Sequence, residues 1–183
     1  CNGGATCLAP RVVLTAQGWA QREAFLQHLR TELGALPARV PFHGVARTHF
    51  ELAAGTAPRT AELPPTLRAN LDAVRDRGLL ATEHFAPVLL ELPLPGDEIA
   101  TWIDRATGFV RDSVYGALSA YVFAPRRLLE RHRTPITAAL RTLPHGTIAV
   151  NCWTGLGYGL GTTPWGVPAT APWQHGAGWT RGT

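Results

Sequence analysis

What most constrains this chain is the alternation of short apolar runs with segments of helical length. Arg11-Val12-Val13-Leu14-Thr15, Val88-Leu89-Leu90-Glu91-Leu92 and Thr147-Ile148-Ala149-Val150-Asn151 read as buried strands. After the first of them, Leu26, Leu29, Leu33 and Leu36 recur at helical steps, so a helix is expected over Trp19 to Leu36. Ile99, Trp102, Ile103, Ala106, Phe109 and Val110 form the stripe of another helix, with Asp97 expected to cap it. Strands separated by such segments need crossovers and therefore pair in parallel. The expected class is α/β: a three-layer α/β/α domain with a mostly parallel sheet. Chemistry in such a domain gathers outside the carboxyl ends of the strands.

The intervening stretches complete the expectation. From Pro37 to Pro65 the pattern dissolves into a long surface excursion, with a short helix near Val45 to Ala54. Leu67, Ala69, Leu71 and Ala73 alternate with polar residues as a half-covered strand would, ended by a turn at Asp76-Arg77-Gly78. Gly116 stops the second helix and Ala117 to Ala124 follows as a strand. Pro125 suits the first helical position of Arg126 to Leu143, which Pro135 should kink or split. Residues 1–152 are thus expected to form a single α/β domain, and the Gly/Pro/Trp-rich residues 153–183 an irregular segment.

Composition narrows the function. With 183 residues and a 45% hydrophobic fraction the chain can bury one good core. No apolar run reaches the roughly 20 residues a bilayer crossing needs, so no membrane association is expected. The net charge of +4 comes from arginine alone and is scattered, with one loose group at Arg126, Arg127, Arg131 and Arg133 that reads as a solvated helix face. Nucleic-acid binding is not expected from that distribution. The three cysteines, at 1, 7 and 152, form neither a CxxC pair nor an even disulfide framework. A reducing, cytoplasmic setting follows, and no zinc-like spacing points to a metal. The absence of any Met is read as the mark of a piece of a longer protein.

Candidate chemistry starts at Asn2-Gly3-Gly4-Ala5-Thr6-Cys7, where glycines leave backbone N–H groups free to face an oxyanion beside a thiol nucleophile. Further on stand Glu83-His84-Phe85-Ala86-Pro87-Val88, then Tyr115 to Phe123, then Gly146-Thr147-Ile148-Ala149-Val150-Asn151-Cys152-Trp153 and Thr163-Pro164-Trp165-Gly166. In this order they resemble the Asn-x-Gly-x-x-Cys, Glu-x-Phe-x-Pro-Val, Gly-Leu-x-Ala-x-Val-Phe, Gly-Thr-Val-x-x-Asn and Ser-Pro-Phe-Gly segments of the NAD(P)-dependent aldehyde dehydrogenases. Ala86 departs from the glycine usual in the second segment, the third is displaced by one inserted residue, and beyond Gly166 the likeness fades.

The resemblance implies an aldehyde dehydrogenase catalytic-domain-like fold that oxidises an aldehyde to a carboxylic acid. Cys7 would add to the aldehyde to form a thiohemiacetal, and hydride transfer to NAD or NADP would leave a thioester for water to hydrolyse. Asn2 would shape the nucleophile's turn. Glu83 would bind the nicotinamide ribose and Phe85 pack near the nicotinamide; Asn151, Trp153 and Trp165 would line the substrate tunnel. The general-base glutamate, the oxyanion asparagine and the cofactor domain of that family lie upstream of the cysteine, so these residues alone are not expected to complete NAD-dependent turnover. The intact protein would be a homo-oligomer. Two other readings stay open: a cysteine-dependent esterase or thioesterase using Cys7, and an inactive fragment.

Overall fold

The computed structural model describes residues 2–41, 43–161 and 166. Its backbone contacts divide the chain into two compact units, Cys1–Asp97 and Glu98–Thr183, whereas the sequence reading drew its boundary at residue 152.

The first unit runs β1 (Val12–Ala16), α1 (Arg22–Gly34), α2 (Ala46–Ala54), β2 (Thr66–Arg68), α3 (Arg77–Leu80) and β3 (Val88–Leu94). Its sheet has the order β1-β3-β2, parallel throughout, with Val12 opposite Leu90 and Thr66 opposite Val88. The central strand β3 is buried at every residue except Pro93, as expected of a strand covered on both faces. Pro93 is tolerated there because β2 ends opposite Leu90, so the missing N–H faces no partner strand.

Three expectations for this unit need correction. The stretch between Pro37 and Pro65 is not only a surface excursion, because Ala46, Phe50, Ala53 and Leu63 are all within 2% of full burial. The helix α2 that carries three of them stops at Gly55, whose left-handed φ of 74° lets its N–H reach the Glu51 carbonyl. The strand expected through Ala73 ends at Arg68, since Asn70 turns the chain with a φ of 62°. Asp76 and Arg77 then open the helical turn α3 in place of a simple turn.

The second unit runs α4 (Ile99–Ser113), β4 (Ser119–Val122), α5 (Arg126–Arg131), α6 (Arg133–Leu140), β5 (Thr147–Val150) and α7 (Gly155–Gly159). β4 and β5 pair in parallel, with Ser119 opposite Thr147 and Val122 opposite Val150. Ile103, Ile136 and Ala139 form a buried cluster, and Ile99, Trp102, Leu128, Leu129 and Leu140 pack against it. The segment after Pro125 breaks at His132, so that Pro135 falls in the first turn of α6, where its absent N–H would have had no helical acceptor. Asp97 does not cap α4: Glu98 occupies that position in an extended conformation, and no side chain caps the helix. Within the segment read as irregular, residues 155–159 form the short helix α7.

The fold is therefore mixed α/β with short parallel sheets. Among the described residues no helix is long and apolar enough to cross a membrane.

Candidate active site

Asn2, Cys7, Glu83 and Phe85 all belong to the first unit. Asn2 begins a tight 3-10 turn, Asn2–Gly4, closed by the Ala5 N–H on the Asn2 carbonyl at 3.1 Å. Asn2, Gly3 and Gly4 hold consecutive left-handed φ values of 46°, 61° and 80°. Such a path suits glycine and is tolerated by asparagine, which accounts for the residues found there. The turn delivers Cys7 to the surface as a free, exposed thiol. Among the described residues none hydrogen-bonds to it.

Gly4 joins the two leading sequence segments. A Cβ built on it would collide with the carbonyl group of Ala86 and with Pro87 N, so the nucleophile's turn lies backbone to backbone on the Glu83–Val88 segment. That segment carries its own irregularity, because Phe85 adopts a left-handed φ of 46°, uncommon for an aromatic residue. Phe85 is 42% exposed. Glu83 is 40% exposed and lies 3.8 Å from the guanidinium of Arg11, which also donates to the Thr82 carbonyl at 2.6 Å.

A cavity of about 390 Å3 opens beside these residues, lined by Asn2, Gly3, Arg39, Leu63, Phe85 and Pro87 among others. Its size lies in the usual range of ligand sites. Cys7 does not line it. Thus Asn2 and Phe85 share one cavity wall, and Cys7 joins them only through the chain of its own turn.

The remaining expected residues belong to the second unit. Asn151, with a φ of 53°, accepts a hydrogen bond from the Ala124 N–H at 3.0 Å and donates one to the Ala124 carbonyl at 2.8 Å. Both arms of its carboxamide are engaged in holding the end of β4 beside the end of β5. Trp153 is 56% exposed, and its indole lies over Gly155, where a Cβ would strike the ring. Trp165 lies outside the described residues.

Polar groups that the sequence reading passed over are as ordered as those it named. Glu91, in the middle of apolar β3, is fully buried and accepts from Arg22 Nη2 at 2.7 and 2.8 Å, from Arg22 Nε at 3.0 Å, from the Asn70 N–H at 2.9 Å and from the Thr15 hydroxyl. His84 is 1% exposed and neighbours His49 and, through it, His43. The partners of Glu91 lie 21 to 76 residues away and His49 lies 35 residues from His84, too far for a local motif to signal. Among the described residues no group of three or more His, Cys, Asp or Glu side chains is arranged to hold a metal ion. The sequence matches no protein-family model and no curated protein, so the site rests on its own geometry.

Proposed function

We propose that this chain carries the cysteine-bearing catalytic portion of an NAD(P)-dependent aldehyde dehydrogenase, with the three-layer fold of that family. The observation that supports the reading is the seat of Gly4 on Ala86. Two segments about 80 residues apart, each resembling a different functional motif of one family, pack against each other. The residues present also fit a dinucleotide: Glu83 keeps a partly exposed carboxylate able to accept from two ribose hydroxyls, and Phe85 is 42% exposed.

In this reading the Cys7 thiolate attacks the aldehyde carbon, and the sulfur–carbon bond forms as the carbonyl electron pair moves to oxygen. The backbone N–H of Cys7 would stabilise that oxyanion. The bound dinucleotide supplies the hydride acceptor. Water then displaces Cys7 from the acyl group, releasing the carboxylic acid and regenerating the thiol. Glu83 and Phe85 orient the cofactor.

The test uses the chain's own internal control. Cys7 and Cys152 are both free and exposed. Alkylation by iodoacetamide at neutral pH, mapped by peptide, should modify Cys7 well ahead of Cys152. NAD or NADP should bind the chain, and Glu83→Gln should weaken that binding without slowing Cys7 alkylation. Equal alkylation of the two thiols, together with no binding of either dinucleotide, overturns the proposal.

A further inference from the structure

Three imidazoles line up beneath the Glu83–Phe85 turn. His84 reaches inward, and its Nε2 lies 2.9 Å from the Leu79 carbonyl in α3. A carbonyl only accepts, so Nε2 carries the proton and donates it. His84 Nδ1 is then a bare lone pair, buried and without a partner. His49, from α2, has its Nδ1 at 3.0 Å from the His84 backbone carbonyl and donates there by the same logic. His43 stands edge-on to both His49 and Phe85, at ring separations of 6.3 and 6.1 Å.

This arrangement answers a question that the site itself raises: what holds Phe85 at a left-handed φ of 46°. The geometry points to His49 and His84 as positioning residues, a two-imidazole clamp that fixes the backbone between Glu83 and Phe85 and thereby the direction of both side chains. The importance of those side chains rests on the dehydrogenase reading; the clamp itself does not.

The clamp is sensitive to acid. The charged and titratable groups facing His84 are Arg11, from the segment leading into β1, and His49, from α2. Glu83 turns its carboxylate toward Arg11 instead. A proton on His84 Nδ1 would be buried without an acceptor and close to Arg11. Burial accordingly pushes the His84 imidazole below its ordinary value, against the opposing effect of the Leu79 carbonyl, with Arg11 and His49 adding to the lowering. As the pH falls from the ordinary imidazole value of 6.5 toward that lowered one, opening of the clamp is increasingly favoured.

The experiment is hydrogen exchange on the full chain, read as protection factors at two amides. The Val88 N–H bonds to the Ala86 carbonyl at 2.7 Å and the Thr66 N–H to the Pro87 carbonyl at 2.8 Å; Leu90, bonded to the Arg11 carbonyl, is the control. His49→Leu should lower protection at Val88 and Thr66 about five- to tenfold, the scale of one hydrogen bond. His49→Asn, which keeps a donor in the place of Nδ1, should restore it. Wild-type protection at both amides should fall below pH 6.5, the ordinary imidazole value, and His84→Gln should remove that fall. Unchanged protection in His49→Leu, or the same pH profile in His84→Gln, overturns the clamp. Should either variant fail to fold, the other still decides. Dinucleotide binding measured on the same samples separates the two ideas. Intact clamp behaviour with neither dinucleotide binding nor preferential Cys7 alkylation sinks only the dehydrogenase reading, and normal binding with unaltered protection sinks only the clamp.

Discussion

Gly4 meets Ala86 with no room for a side chain between them, and its φ of 80° is one that other residues adopt only under strain. Gly4→Ala is therefore expected to destabilise by about 1–3 kcal/mol, since backbone must give way at both ends. Gly108 is the contrast: it lies inside α4, and a Cβ there would meet only the Arg111 guanidinium at 3.7 Å. Gly108→Ala should stabilise by roughly 0.5–1 kcal/mol through helix propensity. Denaturant midpoints of the two variants should move in opposite directions.

The Arg22–Glu91 pair makes a different prediction. Glu91 is fully enclosed and the Arg22 side chain is 15% exposed, so removing either partner strands a charge. Arg22→Met or Glu91→Leu alone should cost about 3–5 kcal/mol. The double variant should cost less than the two single variants summed, because the uncompensated charge disappears along with its partner. A double-mutant cycle by urea unfolding measures this coupling. Additive losses would mean that the pair is not coupled in the folded state.

Acid should weaken the first unit in two stages. His84 has a folded-state value below 6.5, so between that value and 6.5 the unfolded chain binds more protons and stability falls as the pH drops. Asp76 is likewise held below its ordinary 3.8, first by the Asp72 backbone N–H and then, against the cost of burial, by Arg75 and Arg68. The stability that Asp76 contributes is present above that ordinary value and is lost as the pH falls through the folded one. Thermal unfolding as a function of pH should show both declines, and His84→Gln should remove only the upper one.

Asn151 combines a left-handed backbone with two hydrogen bonds to Ala124. Asn151→Gly keeps the conformational freedom and loses the bonds; Asn151→Ala loses both. The Ala variant should be the less stable by about 1 kcal/mol, and each should be less stable than wild type. Equal stability of the two would show that the conformation carries no cost.

Much of the architecture could be read ahead because apolar runs and helical steps are local signals. β1, α1, β3, α4 and β5 lie where Val12, Leu26, Leu90, Ile103 and Ile148 led one to expect them. What failed depended on distant partners. The alternation at Leu67, Ala69, Leu71 and Ala73 looks like a longer strand, but Asn70 gives its N–H to the Glu91 carboxylate and leaves the sheet. Glu91 itself looks like an intrusion in an apolar strand until Arg22 arrives from α1 to neutralise it. At the candidate site Cys7, Glu83 and Phe85 could be picked out as motif residues. The part proposed for His49 could not, because a short helix expected near Val45 to Ala54 does not reveal which of its side chains meets the Glu83–Phe85 turn.

The order β1-β3-β2 also fixes when the first unit can acquire its structure. Among the described residues both outer strands pair only with β3, which is the last of the three to be synthesised. While the ribosome is still adding residues before Val88, β1 and β2 have no partner to dock on, and their apolar faces stay wet. Sheet formation must therefore wait for distant closure, a slow and aggregation-exposed step for a nascent polypeptide.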